Sequence, residues 1–337
     1  MTVKVGIINV TGYVGMELAR LLHHHPRVEL ASITGRSAVG QRLGVVLPHL
    51  ADIDMAIEPE LGEVTLVFSA LPHMMSAEAV AEALGRGIKV IDISADFRLK
   101  EAEDYQKWYD FAHPAPQLLG EAVYGLVELN RQQITPSRLV ANPGCYPTSA
   151  ILALAPAVRE RLIEPDIVID AKSGVSGAGR TLSMGTHFAE VNENVSAYAL
   201  EGHRHLPEIT QELGGLNPAL ALSVTFVPHL VPMSRGILTT CYARLKAEKQ
   251  NVQEIYREFY RDEPFVRVVD IPPQTKQTLG TNLCLIYPTI DPRTERLIVV
   301  SCIDNLIKGG AGQAVQSMNL MLGLDEEMSL ERSAVYP

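Results

Sequence analysis

The segment Asn142-Pro143-Gly144-Cys145-Tyr146-Pro147-Thr148-Ser149-Ala150 sets a thiol between a Pro-Gly turn and the apolar run Ile151-Leu152-Ala153-Leu154. Proline is favoured at the first helical position, so Pro147 is expected to open a helix with Cys145 at its N-terminus. The dipole there lowers a thiol's pKa and favours the nucleophilic thiolate. Cys241, Cys284 and Cys302 lie in or beside β-rich apolar runs and read as small buried hydrophobes. No two cysteines form a CxxC pair, and their spacing suits neither a zinc site nor a disulfide framework, so no metal is expected.

A thiol nucleophile needs an acid/base. The densest histidine segment is Glu201-Gly202-His203-Arg204-His205-Leu206-Pro207-Glu208-Ile209. A helix starting at Pro207 leaves residues 203–206 extended, with His203 and His205 projecting one way and Arg204 the other. Glu208, on the first helical turn, is in reach to orient an imidazole. By contrast, His23-His24-His25 reads as a solvated helix end.

Near the start, Gly6-Ile7-Ile8-Asn9-Val10-Thr11-Gly12-Tyr13-Val14-Gly15 has the spacing of a glycine-rich phosphate loop at Asn9, Gly12 and Gly15. Glycine admits close approach of a pyrophosphate, and the following helix start supplies N–H donors. Asparagine, which tolerates positive φ, replaces the first glycine. An NAD-specific loop places Asp or Glu at the end of the second strand, to bind the ribose hydroxyls. Here Ile33-Thr34-Gly35-Arg36-Ser37 carries no carboxylate and offers a guanidinium and hydroxyls, which points to NADP(H). Three further loops suit an anion only weakly when taken singly: Ser94-Ala95-Asp96-Phe97-Arg98, residues 172–180 with Lys172 and Arg180, and residues 304–312.

These residues need a scaffold, and the pattern supplies one. Short apolar runs at Val3–Ile8, 28–34, 64–70 and 88–93 alternate with helical patterns at 13–24 and 76–85, which implies parallel strands joined by crossovers. After Cys145, long β-rich runs at 167–171, 222–227, 237–243 and 297–303 have few helices between them, the clearest at 252–262, suggesting a mostly antiparallel sheet in a second, α+β domain. A last helix at 312–322 is expected to return to the first domain. The length of 337 residues is ample for two domains. The net charge of −10 argues against nucleic acid or an anionic membrane as partner, and any anionic substrate must be drawn in by a local basic site. No apolar run approaches transmembrane length, and the N-terminus enters a strand with no signal-peptide pattern, so the expected location is cytoplasmic.

The ordered set of motifs resembles the N-acetyl-gamma-glutamyl-phosphate reductases over essentially the whole chain. It comprises Thr11-Gly12-Tyr13-Val14-Gly15, Ala70-Leu71-Pro72-His73, Ser94–Leu99, Tyr124–Leu129, Asn142–Thr148, Lys172–Arg180, His203–Ile209 and Asp304–Gly309. Asn9 is the one departure. The resemblance implies an α/β protein in which a Rossmann domain, 1–144 with 309–337, binds NADP(H). It also implies an α+β domain of the glyceraldehyde-phosphate-dehydrogenase-like type, 145–308, which carries catalysis and oligomer contacts. Cys145 is then the nucleophile, His203 the acid/base and Glu208 its support. Asn9, Thr11, Gly12, Tyr13, Val14, Gly15, Arg36, Ser37, Pro72, Ser176, Gly177 and Asn305 become cofactor residues. Arg98, Asn142, Lys172, Arg180 and His205 become substrate residues. The substrate is a small-molecule acyl phosphate, and the assembly a homo-oligomer, dimer or tetramer. Reductases of carrier-protein-linked aminoadipyl or glutamyl phosphate share the Cys and His motifs, although an acidic chain suits an acidic carrier poorly. A non-catalytic NADP-sensing regulator would keep the loop but need neither Cys145 nor the histidines.

Overall fold

A computed structural model describes residues 2–246 and 251–336. The chain divides into two compact units, residues 1–143 with 310–330 and residues 144–309 with 331–337. The first runs β1 (Val3–Ile8), α1 (Tyr13–His23), β2 (Val28–Ile33), α2 (Leu43–Val46), β3 (Leu66–Ser69), α3 (Ala77–Gly85), β4 (Lys89–Asp92), α4 (Ala102–Tyr109), β5 (Val123–Tyr124), α5 (Val127–Ile134) and β6 (Leu139–Ala141). Its six strands lie in the order β2-β1-β3-β4-β6-β5, all parallel. Burial on both faces explains why β3 is apolar or small throughout, without alternation. From β1 the chain moves first to one side and then to the other, so a crevice opens beyond the carboxyl ends of β1 and β3.

The second unit runs α6 (Cys145–Arg159), β7 (Ile163–Gly174), α7 (Phe188–Val191), β8 (Ser196–Ala197), α8 (His205–Leu216), β9 (Ser223–Val231), β10 (Ile237–Leu245), α9 (Val252–Phe259), β11 (Val266–Val268), β12 (Cys284–Asp291) and β13 (Arg296–Ile303). Its seven-stranded sheet is mixed, with β11/β12 and β7/β9 parallel and the other neighbours antiparallel. Period-two alternation sorts β7: Ile167, Ile169 and Ala171 are buried, while Val168, Asp170 and Lys172 lie on a half-exposed face.

Helix α6 is buried from Tyr146 to Val158 and packs on β10, β13 and α8. Pro156 interrupts it chemically, because proline has no N–H for the Leu152 carbonyl. The Tyr260 hydroxyl donates to that carbonyl instead, at 2.6 Å, and Tyr256 donates to Ala153 O at 2.9 Å. The long helix behind Cys145 therefore stays satisfied in an apolar setting. Cys241, Cys284 and Cys302 are buried, as expected of packing residues.

Helix α10 (Gly312–Met321) belongs to the first unit, packed on α1 and α5. Gln313 Nε2 donates to Gly125 O at 2.8 Å, and Lys89 Nζ to Met321 O at 2.8 Å. The histidine run is corrected here. His23 and His24 are exposed, but His25 is buried, its Nε2 3.0 Å from Asn319 Oδ1, and burial lowers its pKa. The α10 contact buries it, and local periodicity cannot foresee a partner 294 residues away.

Candidate active site

The turn from β1 to α1 is shaped by three residues. Asn9 has φ +67°, a backbone that asparagine adopts more readily than other side-chain-bearing residues. Its amide donates to Ala70 O at 2.8 Å and so ties together the ends of neighbouring strands β1 and β3. Val10 N–H donates to Thr34 O at 2.9 Å, while Thr34 itself is buried with its hydroxyl 3.4 Å from Asn9 N. Gly12 is the N-cap of α1, whose first turn carries no acidic residue. A Cβ on Gly15 would stand 2.5 Å from Asn9 O and 2.8 Å from Val10 O, so only glycine lets the helix close on the loop. The resulting cradle of first-turn N–H groups at a helix dipole, with Thr11, Tyr13 and Val14 in the same turn, fits a dinucleotide pyrophosphate.

Around it, Arg36 and Ser37 are exposed after β2, and Arg36 Nη1 reaches Met75 Sδ at 3.2 Å. Pro72 turns the chain after β3, with Met75 N–H donating to its carbonyl at 3.2 Å. The loop after β4 is internally engaged. Asp96 accepts from Met74, Ser76 and Ala77 N–H groups at 2.7, 2.9 and 3.1 Å, capping α3. Asp92 accepts from the Ser76 and Ser94 hydroxyls, and burial, then the charge of Asp96, push its pKa up to about 6. Arg98 is buried, its guanidinium donating to Asn142 O and Ile93 O, both at 2.8 Å. Asn142 is fully buried, and its side-chain oxygen has no hydrogen-bond partner among the described residues.

The second unit begins at Gly144, next to the candidate nucleophile Cys145. Helix α6 starts at Cys145, two residues before Pro147, with Gly144 as N-cap. The first-turn N–H groups of a helix have no intrahelical partner, so proline fits anywhere in that turn and does not mark its first residue. Thr148 donates to Gly144 O through both N and Oγ1, at 2.9 and 3.1 Å. Glu208, fully buried, accepts the Gly144 N–H at 2.8 Å. It thus holds the turn that carries Cys145, a contact the sequence did not suggest.

The histidine segment departs from expectation for the same reason as Pro147. Helix α8 starts at His205, Arg204 is already helical, and Leu206 N–H donates to His203 O at 2.9 Å, so residues 203–206 are a turn and not extended. The two rings still lie 4.8 Å apart, centroid to centroid. His205 N–H donates to His203 Nδ1 at 3.1 Å. An amide can only donate, so Nδ1 is the acceptor and the neutral ring carries its proton on Nε2. Around His203 stand Tyr146, Tyr198 and Phe226, with ring centroids 5.8, 5.5 and 5.4 Å away, an aromatic box that local sequence pattern could not assemble. Burial, then the Arg204 charge, drives the His203 pKa down to about 4. The Tyr146 hydroxyl donates to His229 O at 2.9 Å, and burial raises both its pKa and that of Tyr198.

The remaining candidates of this unit fall into two places. Asn305 is buried, accepting from Gly236 N–H at 2.8 Å and donating to Ser176 Oγ at 2.9 Å, so it organises the loop that holds Ser176 and Gly177. Arg180 lies beyond, exposed. Lys172 pairs with Asp170 at 2.8 Å on the half-exposed sheet face. Among the described residues there is no cluster of His, Cys, Asp and Glu fit to hold a metal, and no helix long and apolar enough to cross a membrane.

Residues 4–137 match the family model described as semialdehyde dehydrogenase, NAD binding domain, and residues 145–305 the one described as semialdehyde dehydrogenase, dimerisation domain. The chain belongs to the semialdehyde dehydrogenase family. As a member of that family it is an oxidoreductase with a nicotinamide-dinucleotide-binding domain. Its similar relatives include N-acetyl-gamma-glutamyl-phosphate reductases of Dehalococcoides mccartyi, 58% identical over 99% of both chains, and of Pelotomaculum thermopropionicum, 51% identical over the full length of both. The fold is similar to aspartate semialdehyde dehydrogenase II of Vibrio cholerae, at TM-score 0.72 and 16% identity over 96% of this chain and 99% of that one. Aspartate semialdehyde dehydrogenase of Candida albicans gives 0.69 at 16% identity, covering 96% and 99%.

Proposed function

We propose that this chain reduces N-acetyl-gamma-glutamyl phosphate to N-acetylglutamate semialdehyde with release of phosphate, using NADPH, as a step of arginine biosynthesis. The observation that carries the reading is a half-buried thiol at the first position of α6, its turn held by Glu208, in a chain 58% identical to a reductase of that name.

The Cys145 thiolate adds to the acyl carbonyl. The C–S bond forms, the C–O bond to phosphate breaks, and phosphate departs with the electron pair. Sulfur donates less resonance to a carbonyl than oxygen does, so the thioester left on Cys145 is a good hydride acceptor. The chemistry that a reduced nicotinamide supplies when bound is that hydride. The reduced thioester then collapses to the aldehyde, the C–S pair returns to sulfur, and the thiolate is regenerated. One proton is consumed per turnover and leaves with phosphate.

General acid–base catalysis needs an imidazole nitrogen that can exchange a proton with the reacting group. His203 is neutral, with Nδ1 committed to an amide and a proton already on Nε2, so it is poorly suited as a base. We therefore assign the proton to His205 and give His203 the role of fixing the start of α8. Glu208 positions the nucleophile's turn. Arg36, exposed where an NAD enzyme carries a carboxylate, is assigned to the 2′-phosphate of NADP(H). A homo-oligomer, dimer or tetramer, is assigned to the second unit, which matches a dimerisation-domain model and exposes Leu182, Met184, Phe188, Val195 and Leu200.

The test is turnover in reverse. N-acetylglutamate semialdehyde, NADP and phosphate should yield NADPH. No turnover there, with turnover of a carrier-linked aminoadipyl or glutamyl analogue, overturns the substrate. His205→Asn should lower the rate about a hundredfold, and His203→Asn by less; the reverse order returns the proton to His203.

A further inference from the structure

We infer that Gly309 is a positioning residue for the nucleophile: its bare Cα is what allows Cys145 to sit at the start of α6. The inference rests on Cys145 being the reacting thiol. Gly309 lies in a single π-helical turn, Ile307–Ala311, a rare element that recurs at functional sites. A Cβ on Gly309 would stand 2.7 Å from Cys145 Cβ, 3.1 Å from Cys145 Cα and 3.2 Å from Ile303 Cδ1. Carbon atoms in good contact sit about 3.5–4.0 Å apart, so the first of these separations is a clash. The glycine is not there for its backbone freedom, because its φ is not positive. Only the space above Cys145 requires it.

Neither side of this contact is loosely held. The Cys145 atoms concerned are its Cα and Cβ, next to the Gly144 N-cap, which is fixed by Glu208 at 2.8 Å and Thr148 at 2.9 Å. The turn is fixed by fully buried Asp304. Its carboxylate accepts from Leu306, Ile307 and Gly280 N–H groups at 2.8, 3.2 and 2.8 Å, and its carbonyl from Gly309 N–H at 3.0 Å. A methyl group at 309 must displace one of the two, so either the thiol or the turn packed against it moves. Ile303 Cδ1 is the yielding neighbour, the far end of a flexible side chain.

The experiment compares the wild type, Gly309→Ala and the double variant Ile303→Val with Gly309→Ala. Two readouts are taken: kcat and KM in the reverse assay, and the rate of iodoacetamide alkylation of Cys145 as a function of pH, read on its peptide by mass spectrometry. Gly309→Ala should lower kcat by about tenfold to a hundredfold, the scale of a small misplacement of a reacting group, with KM little changed. The alkylation profile should shift with it, and the double variant should recover part of both. Wild-type kcat and alkylation in Gly309→Ala overturn the inference. So does a loss of kcat with an unaltered alkylation profile. If Gly309→Ala does not fold, the double variant is read in its place, and failure of both to fold makes the glycine a requirement of folding and likewise overturns the inference. Alkylation needs no substrate, so it tests the contact even if the proposed reaction is wrong; activity surviving in Cys145→Ser would sink the reaction separately.

Discussion

The corner from β1 into α1 and the corner from β6 into α6 are built almost alike. Each leaves a parallel strand through an asparagine, Asn9 or Asn142, and enters its helix through a glycine N-cap. Gly12 has φ −76° and ψ 159°, and Gly144 φ −67° and ψ 152°, so the two N-caps share one backbone conformation. Neither helix has an acidic residue in its first turn. What differs is what the fold brings to the helix mouth. At α1 the loop curls over the first turn, with Gly15 pressed on Asn9 O, and leaves N–H groups for an outside anion. At α6 a buried carboxylate from α8 takes the Gly144 N–H and the first residue is a thiol. One local motif thus presents open N–H groups in one unit and a thiol in the other.

Cys145→Ser breaks the comparison most sharply. It should abolish turnover while leaving NADPH binding to the first unit at its wild-type Kd, measured by calorimetry. Near-wild-type turnover would end the covalent mechanism.

Gly15→Ala is the matching change at the other corner. The added Cβ meets two backbone oxygens of the loop, which cannot retreat as a side chain can. Overpacking of this kind costs about 1–3 kcal/mol. NADPH binding should weaken by about tenfold or more, and Cys145 alkylation should be unaltered. If alkylation slows equally, the two corners are not independent.

Glu208 separates charge from hydrogen bonding at the α6 mouth. Glu208→Ala leaves the Gly144 N–H buried and unpaired, which costs about 1–3 kcal/mol in thermal or denaturant melts. Glu208→Gln keeps an acceptor oxygen and should restore most of that stability. Equal loss in both variants would show that the negative charge, and not the hydrogen bond, holds the turn.

Arg36→Ala has the smallest expected effect, because the guanidinium is exposed and the proposed bond to a 2′-phosphate would compete with water. NADPH affinity should fall by about fivefold at most, the scale of an exposed ion pair, with NADH nearly unchanged. Equal loss with both coenzymes would make Arg36 a surface charge without a role in coenzyme choice.

The alternation of strand and helix patterns, the glycine spacing at residues 9–15 and the placing of Cys145 at a helix start were all legible in the sequence, because each depends on residues within about a dozen positions of one another. Helix starts were misplaced by two residues at both Pro147 and Pro207, since proline is compatible with the whole first turn and not only its first position.

The rest depended on distance along the chain. Glu208 meets Gly144 across 64 residues, and Gly309 meets Cys145 across a still longer span. Phe226, Tyr198 and Tyr146 close around His203 from three separate segments. Arg98 carries the charge of an anion binder, and only the fold shows its guanidinium donating to the Asn142 and Ile93 carbonyls. The sequence by itself determined which groups have the chemistry to react, because reactivity belongs to residue type and local backbone. The tertiary structure alone decided what faces each of them, which fixes whether an imidazole is neutral, where a carboxylate directs its charge, and how much room a thiol has.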